Sequence, residues 1–361
     1  MMNFCFRTAF ACAALCCALA FPAAASARGN AVPGQCLVDL HLHLDGSLSL
    51  ETARALAAMQ NLPIPSGDAE LRALLQAPEN CASLNDYLKC FDFPLTLLQT
   101  KEAISESVFR LKEELKAQGL IYAEIRFAPQ LHTAKGLTQE EAVLAAMEGN
   151  RRSSLKSGLI LCCMRGPDVG EKNMLTAEVA GRYLGKGVCA IDLAGAEALF
   201  PTAGFGPVFE YARERRIPFT IHAGEADGPE SVRAALSFGA KRIGHGVRSC
   251  EDLELMAELA RERIALELCP TSNLNTKIFA KIEDYPLMEF LRAGVPVTIN
   301  TDNMSVSNTT ARRELQLIAD TFQLGAEAVK QLLLNAAEAS FTDRGTKAEL
   351  IQKIERTFAS H

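Results

Sequence analysis

Polar and apolar residues alternate strictly through segment 38–45, and this alternation predicts a β-strand with one packed face. The even positions are Val or Leu, whereas the odd positions are Asp39, His41, His43 and Asp45. Side chains two positions apart on a strand project from the same face. The segment therefore presents two imidazoles and two carboxylates on its polar side.

Further apolar runs recur along the chain, separated by stretches rich in Ala, Leu, Glu and Lys. The eight segments predicted as strands are 36–43, 120–128, 159–164, 188–193, 217–222, 242–245, 264–269 and 295–301. Helix-start signals lie between them: Ser49 as an N-cap, a capping box at Thr138 and Glu141, and Pro229. Eight strands that alternate with helices, without an internal repeat or a long linker, predict one (β/α)8 barrel of the α/β class. The long gap over 44–119 predicts additional helices between strands 1 and 2, over one mouth of the barrel.

The first 27 residues have the pattern of a secretory signal peptide. They carry one charge, Arg7, followed by an apolar run over 8–25 and an A-x-A cleavage pattern. The alternative, a membrane anchor, is disfavoured because the run contains Pro22 and is rich in alanine. The sequence predicts a cleaved signal peptide over 1–27 and one exported domain, periplasmic or secreted, over 28–361.

Charge and cysteine usage narrow the possible partners. The formal net charge is −6 and there is no basic tract, so nucleic acid and anionic membranes are not expected partners, and a monomer is expected. Eight of the twelve cysteines follow the predicted signal peptide, and this even number permits disulfides without requiring them. Cys81 and Cys90 form the pair to test for a bridge. Several other cysteines lie inside predicted strands, which favours buried free thiols.

Histidine is scarce and is concentrated at the ends of predicted strands. Among the six histidines, His41 and His43 end the first strand, His222 ends the fifth and His245 ends the sixth, while Asp302 follows the eighth. Active sites of (β/α)8 barrels lie at the C-terminal ends of the strands, so these side chains should converge. Three imidazoles and a carboxylate suit Zn²⁺, with Fe²⁺, Mn²⁺ or Co²⁺ as alternatives. The alternative to a metal site is that these are unrelated buried polar residues. That interpretation requires a coincidence at four strand ends.

Six short motifs follow one another between about residues 36 and 310. They are DLHLHLDGSL at 39–48, DLAGAE at 192–197, HAGE at 222–225, GHG at 244–246, CPTSN at 269–273 and NTD at 300–302. Together they resemble the successive signatures of the adenosine deaminase family, within the metal-dependent amidohydrolase superfamily. The unrelated cytidine-type deaminases carry an H-x-E and P-C-x-x-C signature that is absent here.

The resemblance implies a role for each matching residue. The four residues implied to hold one Zn²⁺ per subunit are His41, His43, His222 and Asp302. Glu225 would be the acid that gives a proton to purine N1, which makes C6 electrophilic. His245 would accept a proton from the attacking water or stabilise the hydroxide, and Asp302 would orient that oxygen.

Substrate contacts are implied at four positions: His43, Asp45, Gly195 and Asn303. Gly195 would offer its backbone N–H to purine N3, and Asp45 would contact the ribose 5′-hydroxyl. The usual family pattern has an Asp at the position of Asn303, where it contacts purine N7. An Asn amide donates a hydrogen bond without being protonated, so the contact to N7 is retained, and the departure bears on which 6-aminopurine is the substrate. Asp192 is expected to support the site residues without contacting the substrate itself.

The implied activity is zinc-dependent hydrolytic deamination of adenosine to inosine and ammonia, with deoxyadenosine as a second substrate, in purine nucleoside salvage. A related 6-aminopurine (adenine, aminofutalosine or a modified adenosine) is an alternative substrate. A metal-dependent ester or phosphoester hydrolase is disfavoured, because no lysine ends a predicted strand to bridge two metals. A secreted nucleoside-binding protein without activity is disfavoured by Glu225 and His245.

Three other polar residues have structural interpretations. Glu124 and Arg126 share one face of the second predicted strand and are expected to form an ion pair. His132 lies in the loop that follows. We expect His132 to stabilise this loop or to lie at the surface. The alternative is that it borders the pocket.

Overall fold

The computed structural model describes residues 32–359, and eight β-strands alternate with helices in this range. The strands are β1 (Leu37–His43), β2 (Leu120–Phe127), β3 (Lys156–Met164), β4 (Val188–Ala194), β5 (His222–Ala223), β6 (Arg242–His245), β7 (Ala265–Leu268) and β8 (Val297–Ile299). The predicted signal peptide over 1–27 and the terminal His361 lie outside the described residues. Within them, no helix has the length and apolar character needed to cross a membrane.

The α-helices flank the strands and include a long insertion after β1. They are α1 (Leu50–Gln60), α2 (Asp68–Leu75), α3 (Leu84–Leu88), α4 (Asp92–Leu97), α5 (Lys101–Ala117), α6 (Gln139–Arg152), α7 (Gly170–Tyr183), α8 (Gly206–Glu214), α9 (Pro229–Phe238), α10 (Leu253–Glu262), α11 (Pro270–Asn275), α12 (Leu287–Ala293), α13 (Ala311–Thr321), α14 (Ala326–Ala339) and α15 (Arg344–Ala359). The predicted start signals are present: the Ser49 side chain accepts the Thr52 N–H, and Thr138 with Glu141 forms a complete capping box.

All strand pairs are parallel, and they form two sheets of four, β1–β4 and β5–β8. Backbone hydrogen bonds close both seams between the sheets. At one seam Asp302 N–H donates to the His41 carbonyl (2.8 Å) and His43 N–H donates to the Asp302 carbonyl (2.7 Å). At the other, Thr220 N–H donates to the Ile191 carbonyl (3.1 Å). The closed ring confirms the predicted (β/α)8 barrel with additional helices between strands 1 and 2.

The predicted fifth strand, 217–222, is longer than β5. Its residues are nevertheless extended between both neighbours, since the carbonyls of Pro218 and Phe219 accept N–H groups from Ile191 and Lys241. Pro218 has no N–H to donate, which limits regular pairing in this strand. The segment still brings His222 to the C-terminal end of the barrel.

The expected ion pair between Glu124 and Arg126 is wrong. Alternate residues on a strand are separated by about 6.6 Å along the backbone, so residues on other strands of a barrel approach more closely. Glu124 instead pairs with Arg242 (2.6 Å), whereas Arg126 pairs with Asp192 (2.9 Å) and Glu267 (2.8 Å). These side chains are buried, and every charge has an opposite partner, as burial of ions requires.

Helix α3 and the turns on either side of it form a small apolar cluster against the segment after β8. Cys81 and Tyr87 are buried there beside Val306, with Cys90 packed against them. Both thiols are free, as are the other described cysteines, so the pair considered for a disulfide is not bridged here. The Tyr87 hydroxyl lies 2.6 Å from Ser307 Oγ, which ties this helical lid to the loop after β8.

Candidate metal centre and active site

The four predicted ligands meet at the C-terminal end of the barrel. One ligand atom from each lies within 4.8 Å of the others, and three of the residues are buried. Nε2 of His43 lies 3.2 Å from Nε2 of His222, and Nε2 of both His41 and His43 lies 3.4 Å from Oδ1 of Asp302. The arrangement follows from the fold, since His41 and His43 share a face of β1, while His222 in β5 and Asp302 after β8 lie at the same end of the barrel.

Carboxylates behind two of the imidazoles orient them. His41 Nδ1 lies 2.8 Å from Oε2 of Glu267, and His222 Nδ1 lies 2.9 Å from Oδ2 of Asp192. An ionised carboxylate can only accept, so each Nδ1 carries the proton and each Nε2 directs a lone pair into the centre. His41 Nε2 is buried without a hydrogen-bond partner. Unpaired nitrogen lone pairs around a carboxylate fit a divalent cation.

The electrostatics of the centre keep Asp302 ionised. Burial by itself would raise the pKa of this carboxyl, but its interactions with the neighbouring His41, His245 and His43 outweigh burial and lower the pKa below its usual range. Ser272 Oγ donates to Oδ2 of Asp302 at 2.6 Å and further restrains the carboxylate. Burial lowers the pKa of His43 well below its ordinary value, so its imidazole is neutral. Neutral imidazoles beside a carboxylate are the protonation states that metal ligation needs.

Two residues of the centre have an unusual backbone conformation. His245 has φ 57° and Asp302 has φ 58°, both in the left-handed region that non-glycine residues seldom occupy. Each costs roughly 1–2 kcal/mol relative to a right-handed conformation. Such strain is typical of residues whose side chains are held for a function.

Glu225 and His245 lie together beside the four ligands. Oε2 of Glu225 is 3.6 Å from Nε2 of His245, and both side chains are buried. Burial raises the pKa of Glu225 well above its usual range, and the charge of Asp302 adds to the effect. Burial therefore favours the protonated form of this carboxyl, which is the form that can act as an acid.

The carboxylate of Glu197 holds the loop that carries Glu225. It accepts backbone N–H groups from Gly224 (2.7 Å), Glu225 (3.0 Å) and Ala226 (2.7 Å). The sequence analysis assigned Glu197 no role, although it ends the DLAGAE motif. Its place in the motif was the only sign in the sequence that Glu197 has a role. The backbone N–H groups that it binds belong to the loop after β5, far from Glu197 in the sequence.

The predicted substrate residues line the same end of the barrel. Asp45 is buried in the turn after β1, and burial raises its pKa to about 6. Gly195 follows β4 and has φ 109°, a conformation that favours glycine. It packs on Arg165, whose guanidinium donates to the His222 carbonyl. Asn303 is buried with Oδ1 unpartnered.

Gly46 is a second residue to which the sequence analysis assigned no role. A Cβ at this position would overlap the Asn303 carboxamide. Gly46 therefore provides the space that Asn303 occupies next to Asp302. The Phe91 ring, which packs against the small apolar cluster around Tyr87, lies 6.4 Å from the His43 ring.

A closed (β/α)8 barrel with three histidines and an aspartate at its C-terminal strand ends, and a buried glutamic acid beside them, defines a metal-dependent amidohydrolase. Comparison with known proteins gives the family. The model of the family "Adenosine deaminase" matches residues 36–357. The chain belongs to the adenosine deaminase family.

Individual relatives differ in the substrate that they are named for. The chain is 50% identical over 331 residues to the adenosine deaminase of Haemophilus ducreyi, covering 89% of this chain and 96% of that protein. The structure of adenine deaminase from Arthrobacter aurescens matches with a TM-score of 0.79 and 27% identity, over 89% of this chain and 98% of that one. The N6-methyl-AMP deaminase of Arabidopsis thaliana matches with a TM-score of 0.78 and 26% identity, over 92% and 98%.

Proposed function

We propose that the protein catalyses the zinc-dependent hydrolytic deamination of adenosine to inosine and ammonia, with deoxyadenosine as a second substrate. The observation that carries the proposal is the buried Glu225 carboxyl beside three histidines and Asp302. The 50% identity to the Haemophilus ducreyi adenosine deaminase, across nearly the whole of both chains, supports adenosine over the other 6-aminopurines.

The donor set supports one zinc ion per subunit. Three imidazole nitrogens and one carboxylate oxygen match the ligands that Zn²⁺ takes in proteins. A bound zinc ion supplies hydroxide at neutral pH, because it lowers the pKa of water to about 7. Glu267 and Asp192 hold the tautomers of His41 and His222 that such an ion requires.

The chain's own residues then carry the proton transfers. Glu225 gives its proton to purine N1, and this draws electrons from C6 and makes that carbon susceptible to attack. General acid catalysis of this kind contributes about 10²–10⁴-fold to a rate. Asp302, ionised and restrained by Ser272, orients the attacking oxygen. His245 lies beside Glu225 and either accepts a proton from the water or donates a hydrogen bond to its oxygen. The C6–N6 bond then breaks and ammonia leaves.

The remaining contacts would orient the nucleoside. Gly195 would offer its backbone N–H to purine N3, and Asn303 would donate from its amide to N7. Asp45 would accept a hydrogen bond from the ribose 5′-hydroxyl, and His43 would lie beside the purine. A phosphate at the 5′ position would face the Asp45 carboxylate unfavourably, so nucleosides are favoured over nucleotides.

We also propose that the enzyme works outside the cytoplasm as a monomer, in purine nucleoside salvage. The apolar, alanine-rich segment over 1–27 with its A-x-A pattern supports export. Comparing the mass of the protein recovered from the periplasm with that of the full-length chain tests this part of the proposal.

The activity is tested by ammonia release from adenosine, deoxyadenosine, adenine, AMP and N6-methyl-AMP. Each is measured with the purified protein as isolated, after zinc chelation and after zinc is restored. Zinc-dependent release from the two nucleosides is the expected result. Release from adenine or a nucleotide in their place would overturn the substrate assignment, and E225Q, which should bind adenosine without turning it over, separates an enzyme from a binding protein.

A further inference from the structure

The CPTSN motif ends in Asn273, a buried residue on α11 that the proposed mechanism does not use. Its side-chain nitrogen lies 3.2 Å from Nδ1 of His245 and 3.4 Å from Oε1 of Glu225. Its side-chain oxygen accepts the hydroxyl proton of Tyr285 at 3.0 Å. One carboxamide thus contacts both residues that face the substrate.

The side chain of Asn273 is not needed to build α11. Its backbone serves the helix and the turn after it: its N–H donates to the Cys269 carbonyl, and its own carbonyl accepts the N–H of Ile278. The carboxamide is left for His245, Glu225 and Tyr285.

The contacts determine which way the amide points. Toward Tyr285 it needs an oxygen to accept the hydroxyl proton, and toward Glu225 it meets a carboxyl oxygen that accepts. The NH₂ group therefore faces Glu225 and His245, with one hydrogen for each. Nδ1 of His245 must accept that hydrogen bond, so the neutral ring carries its proton on Nε2, which faces the Glu225 carboxyl at 3.6 Å.

We propose that Asn273, held by Tyr285, is a positioning residue that fixes His245 in the Nε2–H tautomer, so that His245 donates a hydrogen bond to the attacking oxygen and does not take its proton. This rests on the proposed deamination. The atoms balance without a basic His245. The oxygen of the consumed water becomes the C6 carbonyl oxygen. One of its protons restores the proton that Glu225 gave to N1, and the other completes ammonia as the C6–N6 bond breaks.

Substitution by aspartate gives a sharp test, because a carboxylate at 273 accepts where the amide donates. In N273D, Nδ1 of His245 should carry the proton and Nε2 should lose it. N275D, two residues further along the same short helix, is the matched control, since the Asn275 side chain makes no hydrogen bond to Glu225, His245 or Tyr285. Y285F removes the group that anchors the amide and leaves Asn273 in place.

The tautomer is measured on the zinc-loaded enzyme with ¹⁵N-labelled histidine, by two-bond ¹H–¹⁵N correlation spectra in which H245N assigns the signals. We expect a protonated Nε2 in the wild type and in N275D, and a protonated Nδ1 in N273D. For adenosine, kcat should fall by at least about tenfold in N273D, with KM changed by less than about threefold. The kcat of Y285F for adenosine should lie between those of N273D and the wild type.

A His245 protonated on Nδ1 in the wild type, or an N273D enzyme with wild-type kcat, would overturn the proposal. Thermal melting of each variant separates these results from a loss of fold. Because the spectra report the tautomer without turnover, they test Asn273 even if the protein fails to release ammonia from adenosine, an outcome that would count against the proposed function alone.

Discussion

Nδ1 of His222 and the Asp192 carboxylate lie 2.9 Å apart, although the two residues belong to strands β5 and β4, which lie in different sheets. Arg126 pairs with the same carboxylate at 2.9 Å and with Glu267, the partner of His41, at 2.8 Å. A single buried arginine thus connects the two carboxylates that orient His41 and His222, two of the proposed metal ligands. Removing such a partner of a ligating histidine typically costs 10–100-fold in metal affinity.

We therefore expect D192N to bind zinc about 10–100-fold more weakly than the wild type. The neutral amide polarises the His222 imidazole less than the carboxylate does, and its NH₂ group meets the Arg126 guanidinium unfavourably. Competition with a chromophoric chelator measures the affinity. D320N, a substitution on the exposed side of α13, is the control, and equal zinc affinity in D192N and D320N would contradict the prediction.

The G46A substitution should reduce activity through Asn303. The added methyl would overlap the Asn303 carboxamide, so that side chain must move from its place beside Asp302. We expect kcat/KM for adenosine to fall by at least about tenfold and stability to fall by about 1–3 kcal/mol, the usual cost of overpacking. Ammonia release and thermal melting measure the two effects.

G325A provides the control for G46A. A Cβ at Gly325 meets no atom within 4 Å, so the same chemical change should leave activity intact. If G46A retained wild-type kcat/KM, the space next to Asn303 would not be needed for catalysis.

The hydrogen bond between Tyr87 and Ser307 should hold the lid over the active site. Y87F removes a buried hydroxyl that lies 2.6 Å from Ser307 Oγ, at a cost of about 1 kcal/mol. We expect Y87F and S307A each to raise KM for adenosine. The double variant should be no worse than the more affected single variant, because both changes remove the same contact. Additive changes in stability and KM would show that the two hydroxyls act independently.

Stability in mild acid should depend on His132. This buried histidine donates from Nδ1 to the Leu98 carbonyl (2.8 Å), and burial lowers its pKa from 6.5 to about 4. Between these values the unfolded chain binds a proton that the folded chain excludes. The contribution of His132 to stability is therefore fully present above about pH 6.5 and is lost as the pH falls toward 4.

At pH 5 the loss amounts to roughly 2 kcal/mol. H132N keeps a donor near the Leu98 carbonyl and cannot titrate, so its stability relative to the wild type should improve between pH 7.5 and pH 5. Urea unfolding at the two pH values measures this difference. A constant difference between the two proteins would show that His132 does not titrate in this range.

Much of the barrel and the ligand set could be predicted from sequence because both depend on local pattern. Apolar runs of strand length mark β1 to β8, and a histidine or aspartate at the end of a strand needs no long-range information to be placed at the barrel mouth. His41 and His43 required only the two-residue period of a strand.

Other features depended on which side chains from distant strands meet, and no period in the sequence encodes that. Glu124 was therefore assigned to Arg126 when its partner is Arg242, and Glu197 was given no role although it binds the loop of Glu225. His132 was placed in the loop after the second strand, and it is a buried residue that supports this loop. The signal peptide over 1–27 stays a prediction.

The four proposed metal ligands lie on both sides of one seam between the two sheets of the barrel. His41 and His43 belong to the first sheet, whereas His222 lies in the second and Asp302 follows its last strand, bonded across one seam. An ion held by all four would cross-link the N-terminal and C-terminal halves of the molecule. Removing it should promote local opening along that seam, so the amide hydrogens of His43 and Asp302 should exchange with solvent faster than those inside either sheet.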